Sequence, residues 1–386
     1  MISILLIFVN GSLGLLLTIG IICYNMVTYF RSKGDIEPYI VSFGYIMRML
    51  SMAEQIIKTD VPVLVNEQNE LKQLIKKFNK FKRGSHWLMA PNRMNGSGDP
   101  LSILMDYIRM MFHTDIIQFN KMMRELRGHK EDVDGIIGIA GSIETAIAIG
   151  AYRTSLEEYC VPEFSNGILL EDGYHPLIQN PVKNSIETGK GVLLTGSNAS
   201  GKSTFLKTMA VNAILAQTIY TCAAKRYRGE FYHIYTSMAL RDSLGNGESY
   251  YIVEIKSLKR IIDAGGKGQR ILCFVDEVLR GTNTVERIAA STQILRSFAG
   301  KNTMCFAATH DIELTRLLEE DYENYHFEEE VKDGDVLFNY ELQKGRARTR
   351  NAIKLLGVLG YDEEVITKAD ETAKRFLEDG VWSLDK

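Results

Sequence analysis

Gly196-Ser-Asn-Ala-Ser-Gly-Lys-Ser-Thr204 is the stretch that decides the reading of this chain. It matches the pattern G-x-x-x-x-G-K-[ST], and its surroundings are those the pattern requires. The run Gly191–Thr195 before it is short and apolar, as a buried strand is, and a helix is predicted over Ser203–Gln217. Glycines at both ends let the backbone curl so that successive N–H groups face a phosphate, and the helix amino end adds a favourable dipole. Lys202 then reaches the β- and γ-phosphates of a nucleoside triphosphate, and the Ser203 hydroxyl is placed to ligate Mg²⁺. The candidate nucleotide-binding residues are therefore Gly196, Ser197, Asn198, Ala199, Ser200, Gly201, Lys202, Ser203 and Thr204, with ATP and Mg²⁺ as the implied cofactors.

Downstream, two further apolar runs end in polar residues. Arg270–Val275 leads into Asp276-Glu277, and Thr303–Ala308 leads into Thr309-His310-Asp311. Two carboxylates at the end of a buried strand are costly unless they act, because buried charge is expensive. Beside a phosphate loop Asp276 is placed to hold Mg²⁺, Glu277 to polarise an attacking water as general base, and His310 to sense the γ-phosphate. Helices are predicted between the strands at Gly247–Asp263 and Val285–Phe298, with Tyr251, Ile255, Leu258 and Ile262 as the apolar stripe of the first. Asp333-Gly334 before the alternating Val336, Phe338, Tyr340 and Leu342 signals a late hairpin. The fold class that follows is α/β, a P-loop NTPase with a parallel sheet and flanking helices.

Before about Pro162 the periodicity is helical instead, so an all-α domain precedes the α/β one. Leu71, Leu74, Ile75, Phe78 and Phe81 recur at helical spacing, with Lys72, Lys76, Lys77, Lys80, Lys82 and Arg83 among or just beyond them. Such a basic amphipathic helix suits nucleic-acid phosphates, an anionic membrane surface, or plain solvent. Ala90–Pro100 reads as a loop, Leu101–Leu126 and Asp132–Tyr159 as long helices, and the pairs Met110/Met111 and Met122/Met123 as core filling.

The composition, 45% apolar and 24% charged at net charge −3, excludes disorder and a wholly basic nucleic-acid coat. Cys23, Cys160, Cys222, Cys273 and Cys305 form no C-x-x-C pair and no zinc spacing, so a disulfide scaffold and a zinc protein are excluded as well. The first 30 residues break the average, since Met1–Phe30 holds no charge and 14 of the residues from Ile2 to Ile22 are Ile, Leu, Val or Phe. That length suits a transmembrane helix, and Arg31 and Lys33 right after it favour a cytoplasmic body. The alternatives are a buried core helix or the start of a piece cut from a longer chain. The domains expected are 1–30 as candidate membrane anchor, 31–161 as helical domain and 162–386 as ATPase domain.

Taken together, these residues resemble the ATPase domain of the MutS family of DNA mismatch-repair proteins, within the ABC-type P-loop ATPases. Asn198 stands where that family's loop carries its Asn, and Asp276-Glu277-Val-Leu-Arg280-Gly-Thr-Asn-Thr284 looks like its D-E-x-x-R-G-T-S-T run, with Asn283 for a Ser. Ala308-Thr309-His310 matches its A-T-H switch. Ser249-Tyr-Tyr-Ile-Val-Glu254 is similar to its S-T-F-M-V-E signature, and Tyr174-His175-Pro176-Leu177 to its opening R-H-P strand. The resemblance runs from about Asp132 to Leu377. It implies that ATPase domains pair into a homodimer, with Ser249 reaching the partner's γ-phosphate and the Arg280–Thr284 loop crossing the interface. It also implies that the helices before Pro162 act as levers coupling nucleotide state to DNA.

The family's mismatch-reading domain, with its Phe-x-Glu wedge, has no counterpart expected here; Phe327-Glu-Glu329 lies within the ATPase region and is taken as accidental. No nuclease-like domain is expected after Lys386 either. The reading favoured is a dimeric Mg²⁺-dependent ATPase coupled to DNA, in mismatch repair or a damage-related role, contacting DNA through 72–83. The alternative is a membrane-anchored nucleotide switch, held through residues 2–30, that scaffolds a partner without acting on DNA. A transporter or chromosome-structure ATPase would need an LSGGQ-like signature, which the Ser249 region lacks.

Overall fold

The structure is a computed structural model that describes residues 11–89, 107–108, 110–197, 199–238, 250–299, 302–332, 335–347, 353, 356–357, 360–380 and 382. The chain divides into two compact units, Met1–Ala148 and Ile149–Lys386.

The first unit is helical. Its described helices are α1 (Gly11–Lys58), α2 (Val65–Lys77), α3 (Asn79–Met89) and α4 (Thr114–Gly128), with most of α5 (Lys130–Ser155). α1 is a single helix through Pro38, with no break at residue 30. Its core is Phe43, Leu50, Leu71, Phe78, Phe81 and Phe119 with their neighbours, and Phe43 meets Phe81 edge-on at 5.4 Å between centroids. Gly84 allows α3 close to α4, since a Cβ there would stand 2.3 Å from Gln118 Nε2.

Three expectations are corrected in this unit. The basic stretch is two helices, because Phe78 leaves the helical path as the α2 C-cap and the chain restarts at Asn79. Leu101–Leu126 is not one helix either, since His113 takes a left-handed conformation (φ 50°) just before α4 and residues 101–106 lie outside the described ones. Met122 fills the core as expected, but Met111 is exposed. The predicted loop Ala90–Pro100 lies outside the described residues.

The second unit holds β1 (Glu163–Phe164), β2 (Ile168–Gly173), β3 (Asn184–Thr188), β4 (Gly191–Thr195), α6 (Lys202–Ile219), β5 (Arg226–Gly229), β6 (His233–Ser237), α7 (Tyr250–Gly265), β7 (Ile271–Asp276), α8 (Thr284–Ala299), β8 (Thr303–Ala308), α9 (Ile312–Leu317), β9 (Tyr322–Lys332), β10 (Asp335–Lys344) and α10 (Glu363–Asp379). Six strands form the main sheet in the order β10-β9-β4-β8-β7-β6, parallel except for the β9–β10 hairpin. A smaller sheet, β1-β5-β2-β3, which the sequence reading did not foresee, stands beside it.

The three predicted strands are observed, and their unbroken apolar runs have a cause: both faces are covered. Val192, Leu194, Leu272, Phe274 and Phe306 pack under α6 residues such as Leu206 and Met209. The residues between them, Leu193, Cys273, Val275, Cys305 and Ala307, pack against Leu258 and Ile261 of α7 and Leu295 and Phe298 of α8. Strand alternation thus feeds two cores, and neither face tolerates a charge until the strands end. The site lies at those ends.

Candidate functional site

β4 hands the chain to α6 through the quoted loop. Gly196 (φ 144°), Ala199 (φ 64°) and Gly201 (φ 113°) all take left-handed backbone, which curls the loop around itself. A Cβ at Gly196 would meet the Phe327 carbonyl at 2.8 Å and Ser200 Oγ at 2.9 Å, so only glycine fits there. Lys202 opens α6 and is nearly buried; its Nζ donates to Gly196 O (2.8 Å) and Ser197 O (2.7 Å). Burial pushes the Lys202 pKa down from its ordinary value, while Asp276, Glu277 and Glu329 act the other way. Ser200 Oγ is buried with no hydrogen-bond partner among the described residues. Ser203 and Thr204 follow in the first turn of α6, and Asn198 lies outside the described residues.

β7 ends at Asp276, paired in register with Ala308 of β8, so the carboxylate pair and the His310 segment leave adjacent strands at one edge. Glu277 has φ 59° and donates its N–H to Ala308 O (3.0 Å), which fixes where its side chain starts. His310 Nε2 stands 3.0 Å from Glu277 Oε1 and Arg280 Nη1 2.9 Å from Oε2, so both oxygens of that carboxylate have a partner. Thr309 N–H donates to Leu194 O (2.9 Å), tying the His310 segment to the strand that carries the phosphate loop. The structure therefore brings Lys202, Asp276, Glu277 and His310 to one edge of one sheet. Ser249 lies outside the described residues.

Four residues of the site were not foreseen. Asp311 receives Arg287 side-on, Nε to Oδ2 at 2.8 Å and Nη2 to Oδ1 at 2.6 Å, a bidentate pair that braces α8 against the segment after β8. Glu329 of β9 accepts from Ser197 Oγ (2.7 Å). Glu254 of α7 is buried; its carboxylate accepts the Leu279 N–H, in the turn where Glu277 and Leu279 both take left-handed backbone. The face of α7 is thus corrected by one residue, since Ile255 is 38% exposed while Glu254 is 2% exposed. An i,i+3/i+4 count of apolar residues passes over a buried carboxylate, which is explained by the backbone N–H of Leu279 that the turn after β7 presents to it.

Phe327 is core, 2% exposed with its ring 6.0 Å from that of Phe205, so its place beside Glu328-Glu329 is not that of a DNA wedge. A cavity of about 320 Å³ opens beside Gly201 and Thr204, with His175, Ile178, Val182 and Phe205 in its walls. Burial holds the His175 pKa below the usual imidazole value. Asn283 caps α8, its Oδ1 accepting the Glu286 N–H at 3.0 Å, which is the work a Ser does at such a position.

The donor set fits a magnesium nucleotide. The loop offers a buried lysine and a helix amino end, and Ser203 and Asp276 carry oxygen atoms of the kind Mg²⁺ prefers. Among the described residues there is no cluster of three or more His, Cys, Asp or Glu that could hold a metal ion.

Residues 192–377 match the family model of MutS domain V. The chain is similar to the DNA mismatch repair protein MutS of Bacillus licheniformis, 32% identical over 279 residues that make up 67% of this chain and 32% of that one. It is 30% identical to the DNA mismatch repair protein MutS of Aquifex pyrophilus over 66% of this chain and 31% of that one. MutS protein homolog 4 of Homo sapiens is 26% identical over 68% of this chain and 30% of its own length. The chain thus spans about a third of the length of these relatives. The phosphate loop, the carboxylate pair and the His310 segment all lie within the matched residues, and the chain belongs to the MutS family.

Proposed function

We propose that this chain is a Mg²⁺-dependent ATPase whose nucleotide state is relayed to its helical unit. The observation that carries the reading is the convergence of Lys202, Asp276, Glu277 and His310 at the carboxyl ends of β4, β7 and β8, where open α/β sheets bind ligands. Lys202 would meet the phosphates of ATP, and Ser203 with Asp276 would hold Mg²⁺. The metal ion, when bound, neutralises charge that develops on the phosphates. Glu277 takes a proton from the attacking water. His310 and Arg280 orient that carboxylate, a positioning role beside the γ-phosphate sensing expected from sequence. The 320 Å³ cavity accommodates the nucleobase, with Ile178 and Val182 as apolar walls and the imidazole of His175 beside them.

The site is completed in a homodimer, Ser249 and the Arg280–Thr284 loop acting across the interface. DNA is the partner that the names of the relatives point to. Within the basic stretch 72–83, Lys72 and Lys76 on α2 and Lys80 and Arg83 on α3 are exposed. Lys77, also exposed, pairs with Asp132 at 2.7 Å, and Lys82 pairs with Glu54, so these two are already engaged in surface ion pairs.

The test is ATP binding and steady-state hydrolysis by the full chain in Mg²⁺, with and without duplex DNA at low and high salt. Turnover abolished in Glu277→Gln with ATP still bound supports the reading. A chain that binds no ATP in Mg²⁺ overturns it. DNA stimulation that fades with salt supports the DNA partner, and turnover indifferent to DNA removes it.

A further inference from the structure

α1 changes character along its length. From Tyr29 onward it buries a strict seven-residue seam, Tyr29, Ile36, Phe43 and Leu50, while Arg31, Lys33, Asp35, Glu37, Arg48 and Glu54 stay exposed. That is an ordinary one-sided helix with a bundle on one side and water on the other. Residues 11–28 carry no charge, and only Gly14 among them is buried.

The exposed apolar side chains of that stretch are not gathered on a stripe. At 100° per residue, Leu13, Leu16, Leu17, Ile19, Ile21 and Ile22 point to every side of the helix, and Leu16 is 74% exposed. A partner helix or a second copy of this chain covers one stripe of such a surface and leaves the rest in water. A helix that is apolar all round is solvated in full only by a protein core or by lipid, and the described residues bury almost none of it.

Three further features select lipid. Residues 11–28 rise about 27 Å, close to the roughly 30 Å of a bilayer's hydrocarbon. The two threonine hydroxyls of the stretch find partners on the helix itself, Thr18 Oγ1 donating to Gly14 O (2.8 Å) and Thr28 Oγ1 to Asn25 O (2.9 Å), as a medium without water demands. The end of the stretch has the chemistry of a membrane interface: Tyr24 and Phe30 are exposed, Arg31 and Lys33 follow, and Lys33 lies over the Tyr29 ring. Asn25 Nδ2 donates to Met111 O (2.8 Å), and Met111 and Phe112 are exposed in turn, which widens the apolar collar at that level. α5 is also long and apolar enough to cross a membrane, but it sets Glu144 at mid-helix and pairs Asp132 with Lys77.

We propose that residues 11–28 occupy the hydrocarbon of a lipid bilayer, with Arg31 and Lys33 at the headgroups on the side where α1 continues to Lys58. Lipid anchoring then holds the helical unit at a membrane, and it stands or falls apart from the nucleotide reading.

The test is flotation of the full chain with neutral phosphatidylcholine vesicles in a density gradient, repeated after high salt and after alkaline carbonate. The chain is expected to float in all three conditions. Leu16→Arg with Ile19→Arg is expected to lose flotation while ATP binding, measured on the same preparation, is retained and shows that the rest of the chain is folded. Exposed Cys23 supplies a second readout: vesicles should protect it from a membrane-impermeant maleimide. Failure to float overturns the proposal, as does flotation that needs anionic lipid and is lost in salt. Cys23 cross-linking between two copies in the absence of lipid, with no flotation, assigns the stretch to a second copy and overturns it too. Lys202→Ala is expected to weaken ATP binding roughly 10- to 100-fold and leave flotation unchanged, which separates the two readings.

Discussion

His310 and Arg280 hold the two oxygens of one carboxylate, that of Glu277, at 3.0 and 2.9 Å. The imidazole comes from the segment after β8 and the guanidinium from the turn after β7, so the carboxylate is aimed by two pieces of chain. Replacing Glu277 with Gln keeps its size and removes the proton acceptor. Turnover is expected to fall by roughly 10²–10⁴, the usual worth of general-base catalysis, with ATP affinity little changed. His310→Ala is expected to reduce kcat by a smaller factor and leave KM near its original value. Steady-state rates together with equilibrium nucleotide binding check both.

Lys202 acts earlier, on binding. A charge-assisted hydrogen bond contributes about 1.5–3 kcal/mol, so Lys202→Ala is expected to weaken ATP binding roughly 10- to 100-fold. Titration of the variant with a fluorescent ATP analogue reads the loss, and unaltered affinity would remove the lysine from the phosphate site.

Glu254 gives a pH dependence with a defined sign. Burial raises its folded pKa above the ordinary 4.5, against the pull of the Leu279 and Arg280 N–H groups. The folded chain therefore holds this proton more tightly than the unfolded one, and its contribution to stability is greatest below 4.5 and declines as pH rises through the raised value. Glu254→Gln should flatten that decline, whereas Glu254→Ala should cost about 1–3 kcal/mol at any pH by orphaning the Leu279 N–H. Thermal melts over a pH series distinguish the two.

Asn283 is a helix cap that the family pattern fills with Ser. Asn283→Ser should leave the melting temperature nearly unchanged, and Asn283→Ala should cost about 1 kcal/mol, because only the first retains an acceptor for the Glu286 N–H.

The six cations between Lys72 and Arg83 divide into two groups with different expected phenotypes. Lys76→Glu with Lys80→Glu should weaken duplex binding and reduce its salt slope by about two charges' worth, with no loss of stability. Lys77→Glu and Lys82→Glu break pairs with Asp132 and Glu54 and should lower the melting temperature slightly, as the loss of surface pairs does. DNA retention at graded salt and thermal melts read the two effects separately.

What was legible in the sequence and what was not follow from range. Gly191–Thr195, Arg270–Val275 and Thr303–Ala308 were readable because a strand buried on both faces is an unbroken apolar run. The motifs at their ends are local strings and were readable for that reason. The smaller sheet was not, because β1 and β5 are two and four residues long and pair across more than sixty positions of chain. The break at Phe78 escaped because Phe78 fits the helical period on both sides and still ends α2. Glu254, Asp311 and Glu329 were missed because each acts on a group distant in sequence, and a carboxylate on a core-facing position reads as an interruption rather than a contact.

The lysine of the phosphate loop carries one more implication. Its ammonium is already bridged between the carbonyls of Gly196 and Ser197, six and five positions behind it, so it staples the loop into its curl. An incoming phosphate has to take Nζ over from these two acceptors, and the lysine need not be recruited from a freely rotating state. Nucleotide capture is then an exchange of partners within a shape already set, which keeps the ordering cost small. Lys202→Arg, whose planar fork cannot repeat that bridge, should loosen the loop before any nucleotide arrives.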